Sequence, residues 1–581
     1  MRPTLQRETD QQPVQPPLSH SIAGARLVEA IAHRVAALTG WRRWLAALLA
    51  GAASILSMAP FHFFPVLCAT LPVLVWLIGS PGADQRPLRK AALGLFLDRR
   101  RLLAAALIGW LFGYGFHVVG LYWLREAFIV TGGGLAMLWP LGVLGLPAYL
   151  ALFHGLAAAV AAAVPGPPLR RVVALALALS AAEWLRGWLF TGFPWNVLGL
   201  SLTGLDALMQ TSALIGIYGL TLLSVIVLAG PAVMLAQQRS AANRARVGMV
   251  AGLLLAGPLA AMYAFGAWRL SSPAPRMVDG VHLRLVQPSL PQMEKWLPEK
   301  QPEHLERQLQ LTRDGPDGRG LAGITHVVWP EAAMPFLPLQ RPQVLQAIAE
   351  TLPDGVHLLA GVLRLERSRR PPLPGQLSEV IEQRVYNSLA VIDDAGTPAA
   401  VYDKTHLVPF GEYLPFPEIL EGIGLQALVR QRGGFAIGPE PRPLLQVPGL
   451  PPVGPLICYE AVFPGSTRHS AGRPSVLLNI TNDGWFGNSL GPRQHLHQAR
   501  MRSVEEGLPL VRVANNGISA VYDAYGRELT RLSLDVAGVI DIGLPGSIAP
   551  PPYSRLGDLP FGLIWVLTAL WLLRRTSITE N

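Results

Sequence analysis

Residues 453–460 read VGPLICYE. Five apolar or small residues are too few for a buried helix and fit a strand covered on both faces. The run then stops on Cys458, Tyr459 and Glu460, groups for which a packed core has little use. Outward from this stretch the same texture recurs in VHLRLVQP (281–288), THVVWPE (325–331), VHLLAGVLRL (356–365), VYNSLAVID (385–393), PSVLLNITND (474–483) and LVRVANN (510–516). Turns and amphipathic stretches, such as 493–506, separate these runs. Strands alternating with helices predict an α/β domain over 280–545.

The remainder of the chain has a different character. Of its 581 residues 51% are hydrophobic and only 15% charged, against roughly 25% charged in soluble domains. Apolar runs occur near 44–60, 64–80, 103–124, 133–164, 172–190, 212–236 and 247–268. Most approach the ~20 residues a helix needs to cross a bilayer. The first two are short, and the fourth is overlong and interrupted by Pro140 and Pro147. They predict a membrane domain of about seven transmembrane helices over 44–270, and LPFGLIWVLTALWLL predicts a further span within 558–575. Residues 1–43 are polar and lack the small-residue cleavage site that follows a signal-peptide core. They read as a cytoplasmic tail with a short helix near 23–38.

Charge orients this arrangement. The net charge of +10 sits in short clusters beside apolar runs rather than in one stripe, which fits membrane topology and not nucleic-acid binding. With the tail inside, alternating spans put Arg86, Arg89, Lys90 and Arg99–Arg101 on the cytoplasmic side, with Arg170 and Arg171, then Arg239, Arg244 and Arg246, then Arg574 and Arg575. Seven spans then leave the α/β domain on the outer face.

Three strand-like runs of that domain end in chemistry. THVVWPE ends in Glu331; YDKTHLVPFGEYLP (402–415) holds Lys404 and Glu412; VGPLICYE holds Cys458. Strand ends are where α/β sheets assemble sites. Of 48 basic residues only Lys90, Lys295, Lys300 and Lys404 are lysine, so a lysine here calls for a reason. A carboxylate, an ammonium and a thiol suffice for acyl transfer: Glu331 as base, Lys404 beside the oxyanion, Cys458 as nucleophile. Each also has a bland reading. A lone cysteine packs as a small hydrophobe, a glutamate after Trp-Pro caps a turn, and a lysine is solvated. The two cysteines, Cys68 and Cys458, build no disulfide framework, and no Cys/His cluster offers a metal site.

These segments resemble the nitrilase, or carbon-nitrogen hydrolase, superfamily. Together with the spans they resemble its integral-membrane branch, the bacterial apolipoprotein N-acyltransferases. EWLRGWLFTGFPWN (183–196), WPEAAMP, YDKTHLVPFGEYLP, CYEAVFP and the stretch from NITNDGWFGNS to NNGISAV (479–521) carry the likeness, in order, over nearly the whole chain. The resemblance implies an αββα sandwich behind a multi-span α-helical membrane domain. It implies a Glu331, Lys404, Cys458 triad, with Glu412, Tyr459 and Glu460 supporting it and Trp296 on a loop over the entrance. It also implies the reaction: Cys458 takes an acyl chain from a membrane phospholipid as a thioester, and the N-terminal amine of a diacylglyceryl-cysteine on an apolipoprotein accepts it. The implied setting is the bacterial inner membrane, with the catalytic domain periplasmic and no cofactor.

Other residues carry two readings each. Glu183 and Arg186, three apart on a helix, form a structural pair or meet a headgroup. Asn387 orients groups in the site or caps a turn, and Trp296 is a lid or a membrane-surface anchor. His495 and His497 point apart on a helix, against a shared metal, and Cys68 reads as packing. Two rivals stand beside the acyltransferase. One is a membrane-anchored amidase or nitrilase hydrolysing small amides with the same triad; the other is a non-catalytic transporter or receptor with an enzyme-like outer domain.

Overall fold

The structure is a computed structural model that describes residues 19–80, 98–235, 241–370, 380–416, 418, 434–465 and 472–574. Arg86, Arg89, Lys90, Arg239 and Arg575, used above for orientation, lie outside the described residues, as do residues 1–18 of the tail.

The α/β part begins with β1 (Met277–Gln287), β2 (His326–Val328), β3 (His357–Arg370), β4 (Val380–Ile392) and β5 (Pro398–Asp403). It continues with β6 (Val453–Ile457), β7 (Val476–Thr481), β8 (Leu510–Ala514), β9 (Ser519–Tyr522), β10 (Glu528–Leu532) and β11 (Gly538–Pro545). They form two sheets, ordered β11-β1-β2-β3-β4-β5 and β10-β9-β8-β7-β6. Strand pairs β1/β2, β2/β3, β6/β7 and β7/β8 are parallel.

Side-chain alternation along each strand explains the layers, because successive residues face opposite sides of a sheet. Leu285, Val328 and Leu359 of the first sheet meet Ile457, Leu478 and Val511 of the second in one shared core. Their neighbours Val286, Val327 and Leu358 pack outward with the helices Gln301–Asp314 and Pro342–Ala349. Leu456, Leu477 and Leu510 pack with the helix Gly491–Glu506. The result is an αββα sandwich, as the resemblance implied.

The N-terminal part is helical. By length and composition three helices among the described residues could cross a membrane: Arg99–Gly120, Ala136–Ala163 and Met249–Leu270. Phe64–Gly79, Ser212–Leu228 and Leu559–Arg574 are apolar but shorter. The run that Pro140 and Pro147 interrupt is one helix nonetheless. Pro140 lies in its first turn and Pro147 is buried inside it; a proline costs little in a first helical turn, and packed membrane helices tolerate one inside. The run at 212–236 is broken where sequence gave no warning. Gly216 has φ +66°, and a Cβ there would lie 2.2 Å from the ring of Tyr553. The helix expected near 23–38 spans Ser19–Ala36, and the next starts at Gly40, inside the stretch read as tail.

The two parts share packing. The helix Gly491–Glu506 gives Leu496 and Ala499 to the sheet beneath it and Met501 and Val504 to the core of the helical part. This sheet-covering helix is therefore buried on both sides, which corrects the reading of 493–506 as an amphipathic stretch.

Candidate active site

Each of the three chemical groups sits where a strand stops. After β2 the chain passes through the buried Trp329, whose indole N–H donates to Thr312 Oγ1 at 2.9 Å, and reaches Glu331. Gly361 of β3 lets this turn come close, since a Cβ there would lie 2.3 Å from the Pro330 carbonyl oxygen. Lys404 follows β5 directly, and its main-chain N–H donates to the Asn387 carbonyl of β4 at 2.9 Å. Cys458 follows β6 and takes φ +52°, a left-handed conformation that a non-glycine residue holds only when its surroundings enforce it.

Glu460 supplies that enforcement. Its fully buried carboxylate accepts hydrogen bonds from Ile457 N (2.7 Å), Thr405 N (2.9 Å) and His406 N (3.1 Å). It also accepts from the hydroxyls of Tyr402 and Thr405 and from Arg442. One side chain thus ties the turn bearing Cys458 to the loop after Lys404. Burial opposes the charge on Glu460, but Arg442 and the converging N–H groups prevail and hold it below the usual carboxylate range. On the other side of the turn, His495 Nε2 meets the Cys458 carbonyl oxygen at 3.0 Å. His495 in turn meets Asp483 at 2.9 Å, and Arg512 pairs with Asp483 at 2.8 Å.

Glu331, Lys404, Glu412 and Asn387 are in direct contact. Lys404 Nζ lies 2.9 Å from Glu412 and 3.8 Å from Glu331. Asn387 Nδ2 donates to Glu331 Oε1 at 2.7 Å and to Glu412 Oε1 at 3.1 Å. Asn482 N–H donates to the other Glu331 oxygen at 2.8 Å. Asn387 lies within β4, opposite Leu363 of β3, so it bridges the two carboxylates and caps no turn. Burial raises the Glu331 carboxyl above its usual value, with Lys404 opposing and Glu412 adding to the rise. Burial works against the Lys404 charge, yet Glu412 and Glu331 outweigh it and push its pKa up. The Cys458 thiol is raised by burial and then by Glu331, with Lys404 opposing. Burial thus favours the neutral thiol of Cys458 and opposes the charge of Glu331, while the Lys404 ammonium beside them stays firmly charged.

The remaining expected residues fall elsewhere. Tyr459 faces the helical part: its hydroxyl donates to the Gly192 carbonyl at 3.0 Å and its ring meets Phe463 edge-on at 4.9 Å. Trp296 is 40% exposed on the outside of its turn. Glu183 and Arg186 form a structural unit, both buried. Glu183 accepts from Leu198 N (2.9 Å) and Thr221 Oγ1 (2.7 Å), and Arg186 donates to the carbonyls of Phe193 and Trp195, each at 2.9 Å. They shape the 187–198 segment on which Tyr459 rests, which leaves headgroup contact without support. His495 and His497 diverge, the latter bonding Thr203 at 2.6 Å. Sequence reasoning missed Asn482, the Asp483–His495–Arg512 network and Lys295. Scarcity of lysine was the available signal for Lys295.

The geometry has counterparts in known proteins. Residues 292–549 match the carbon-nitrogen hydrolase family, and residues 50–230 match the apolipoprotein N-acyltransferase N-terminal domain. An apolipoprotein N-acyltransferase of Rhodopseudomonas palustris (strain ATCC BAA-98 / CGA009) is 44% identical over 538 residues, 92% of this chain and 96% of that protein. One of Brucella suis biovar 1 (strain 1330) is 41% identical over 553 residues, 94% of this chain and 97% of that protein. Among solved structures, an amidase from Nesterenkonia sp. AN1 aligns with 51% of this chain and 100% of its own at 18% identity and a TM-score of 0.33, a likeness too loose to bear on chemistry.

Proposed function

The chain belongs to the apolipoprotein N-acyltransferase family, and from that premise we propose how its residues carry the reaction. It is a membrane acyltransferase of lipoprotein maturation with a nitrilase-like domain. Glu331 takes the Cys458 proton, and the thiolate attacks an acyl ester carbonyl of a phospholipid. The oxyanion forms beside the Lys404 ammonium, where a fixed positive charge in a dry site stabilises most. Collapse of the intermediate breaks the ester bond; the glycerol oxygen leaves with the proton held by Glu331, and a lysophospholipid departs. The N-terminal amine of a diacylglyceryl-cysteine then attacks the thioester, Glu331 takes the amine proton, and Cys458 is released as an amide forms.

The observation that carries this reading is the contact of Glu331, Lys404, Glu412 and Asn387 in one buried cluster, in electrostatic reach of the Cys458 thiol. Glu412 and Asn387 hold Lys404 and Glu331 in register; Glu460 places the nucleophile's turn; Tyr459 fastens that turn to the helical part. Trp296, on the outer side of its turn, is the residue of the loop over the entrance. A lipid donor suits the surroundings: Phe190 of the helical part and Phe416 of the sandwich are 60% and 55% exposed, with ring centroids 6.0 Å apart. Exposed apolar rings of this kind are surface that an acyl chain would cover favourably.

The proposed arrangement keeps seven spans before the sandwich and one after it, with the sandwich on the periplasmic face of the bacterial inner membrane. The arginines at the start of Arg99–Gly120 and Pro168–Arg186 support that orientation. A reporter fused near residue 300 that is active only in the cytoplasm would invert it. The chemistry is tested by incubating the purified protein with a phospholipid carrying a labelled acyl chain. A hydroxylamine-sensitive label is expected on wild type and absent from Cys458→Ala; label that survives in Cys458→Ala defeats the mechanism.

A further inference from the structure

Lys295 is fully buried in a chain with four lysines. It lies in the turn 291–297 after β1, where Gln292 and Lys295 face inward while Met293 and Trp296 are 69% and 40% exposed. The inward pair enters the site described above. Gln292 Oε1 accepts from Asn482 Nδ2 at 2.8 Å, and Asn482 is the residue whose N–H binds the Glu331 carboxylate. Lys295 Nζ donates to the main-chain carbonyl of Glu331 at 3.1 Å. Among the described residues no carboxylate forms an ion pair with it, although it lies in electrostatic reach of both Glu331 and Cys458.

A buried ammonium held only by a carbonyl is expensive, because desolvation is not repaid by a contact ion pair. A methionine or leucine would fill the space without that cost. The charge makes sense against the whole cluster. With Glu331 and Glu412 as carboxylates and Cys458 as a thiol, Lys404 alone leaves one net negative charge buried; Lys295 brings the sum to zero. Moving the thiol proton to Glu331 keeps the sum at zero, as does the passage from thiolate to oxyanion.

We propose that Lys295 is a positioning residue of acyl transfer, whose ammonium, carried in by the docked 291–297 turn, neutralises the Glu331–Lys404–Glu412–Cys458 cluster and keeps Glu331 ionised as the base. The inference rests on the acyl-transfer reading. It makes the turn that presents Trp296 and the charge that readies the base a single unit. Burial pulls Lys295 down to about 8, against the pull of Glu331 and Cys458, so the group also stays within reach of neutral pH. Its charge lowers the proton affinity of Glu331, and its loss must move the acid limb of the rate profile upward.

The test is single-turnover thioester formation from pH 5 to 9 by the full-length protein. The probe is phosphatidylethanolamine bearing a fluorescent acyl chain, and the variants are Lys295→Arg, Lys295→Gln and Lys295→Met. Lys295→Arg is expected to keep the wild-type acid limb. Lys295→Gln keeps a donor for the Glu331 carbonyl but no charge, and with Lys295→Met is expected to raise the limb by about one pH unit and so slow acylation about tenfold at pH values on the acid side of the limb. A wild-type limb in Lys295→Gln, or a limb raised equally in Lys295→Arg, overturns the proposal. If Lys295→Met fails to fold, the other two variants decide. Wild type that never acquires label overturns the acyl-transfer reading and this inference with it.

Discussion

Replacing Glu460 tests how the site is built, because one carboxylate holds the Cys458 turn and the Lys404 loop together. Six donors converge on it: Ile457 N, Thr405 N, His406 N, the hydroxyls of Tyr402 and Thr405, and Arg442. Glu460→Ala would leave three main-chain N–H groups without that acceptor, at about 1–3 kcal/mol each. The sum, about 5 kcal/mol, rivals the whole stability of a typical domain, about 5–15 kcal/mol, so that variant is expected to fold poorly. Glu460→Gln is the informative change. It keeps the shape and one acceptor oxygen, loses the charge facing Arg442, and turns a donor toward donors, for an expected loss of about 2–4 kcal/mol. If the turn shifts by about 1 Å relative to Lys404, thioester formation falls about 100-fold.

Thermal unfolding in detergent and single-turnover labelling of Cys458 read the two effects separately. The pH dependence adds a sign. The Glu460 pKa is depressed in the folded state, so its contribution is present above the unfolded carboxylate value of about 4.3 and is lost as pH falls through the lower folded value. The stability gap between wild type and Glu460→Gln should therefore be flat around neutrality and close below about pH 4. Wild-type melting and a wild-type acylation rate in Glu460→Gln would refute the view that this carboxylate places the nucleophile.

Two further outcomes follow from the same geometry. Lys404→Arg keeps the charge but cannot fit a planar fork into a space shared by two carboxylates at 2.9 and 3.8 Å; labelling of Cys458 should slow at least about 100-fold, and a rate within about threefold of wild type would count against a compact ammonium being required. Asn387→Leu removes a donor that lowers the Glu331 pKa, so the acid limb of thioester formation, already raised by burial, should move to still higher pH; an unmoved limb would show that Asn387 does not tune the base.

The α/β class was legible because short apolar runs alternate with helical stretches, whereas the sandwich was implied by the resemblance; in the structure Leu456 and Ile457, Leu477 and Leu478, Leu510 and Val511 divide between the outer and inner layers. A buried strand that ends in Cys-Tyr-Glu cannot hide that its last residues serve something else. The placing of Glu331, Lys404 and Cys458, each just past a strand, was legible from the same runs, and their roles are those proposed above. Features that depend on contact across the chain were not. The break at Gly216 exists because Tyr553, far along the chain, packs against it. Glu183 and Arg186 looked equally like ligands for a headgroup until Thr221 and Leu198 took up the Glu183 carboxylate and the Phe193 and Trp195 carbonyls took up Nη1 of Arg186.

Lys295 marks the boundary between the two kinds of inference. Rarity of lysine applied to it and to Lys300 alike, yet Lys300 is 36% exposed and pairs with Glu303 on the surface, while Lys295 is sealed against Glu331. Nothing local separates them, since both stand in the polar stretch PQMEKWLPEK. What separates them is charge balance. Two carboxylates, one of which takes the proton when the thiol becomes an anion, need two cations, and the motifs at the strand ends supply only one. A site read from its motifs can therefore be checked for missing charge before its structure is known, and the missing charge sought among residues that composition makes rare.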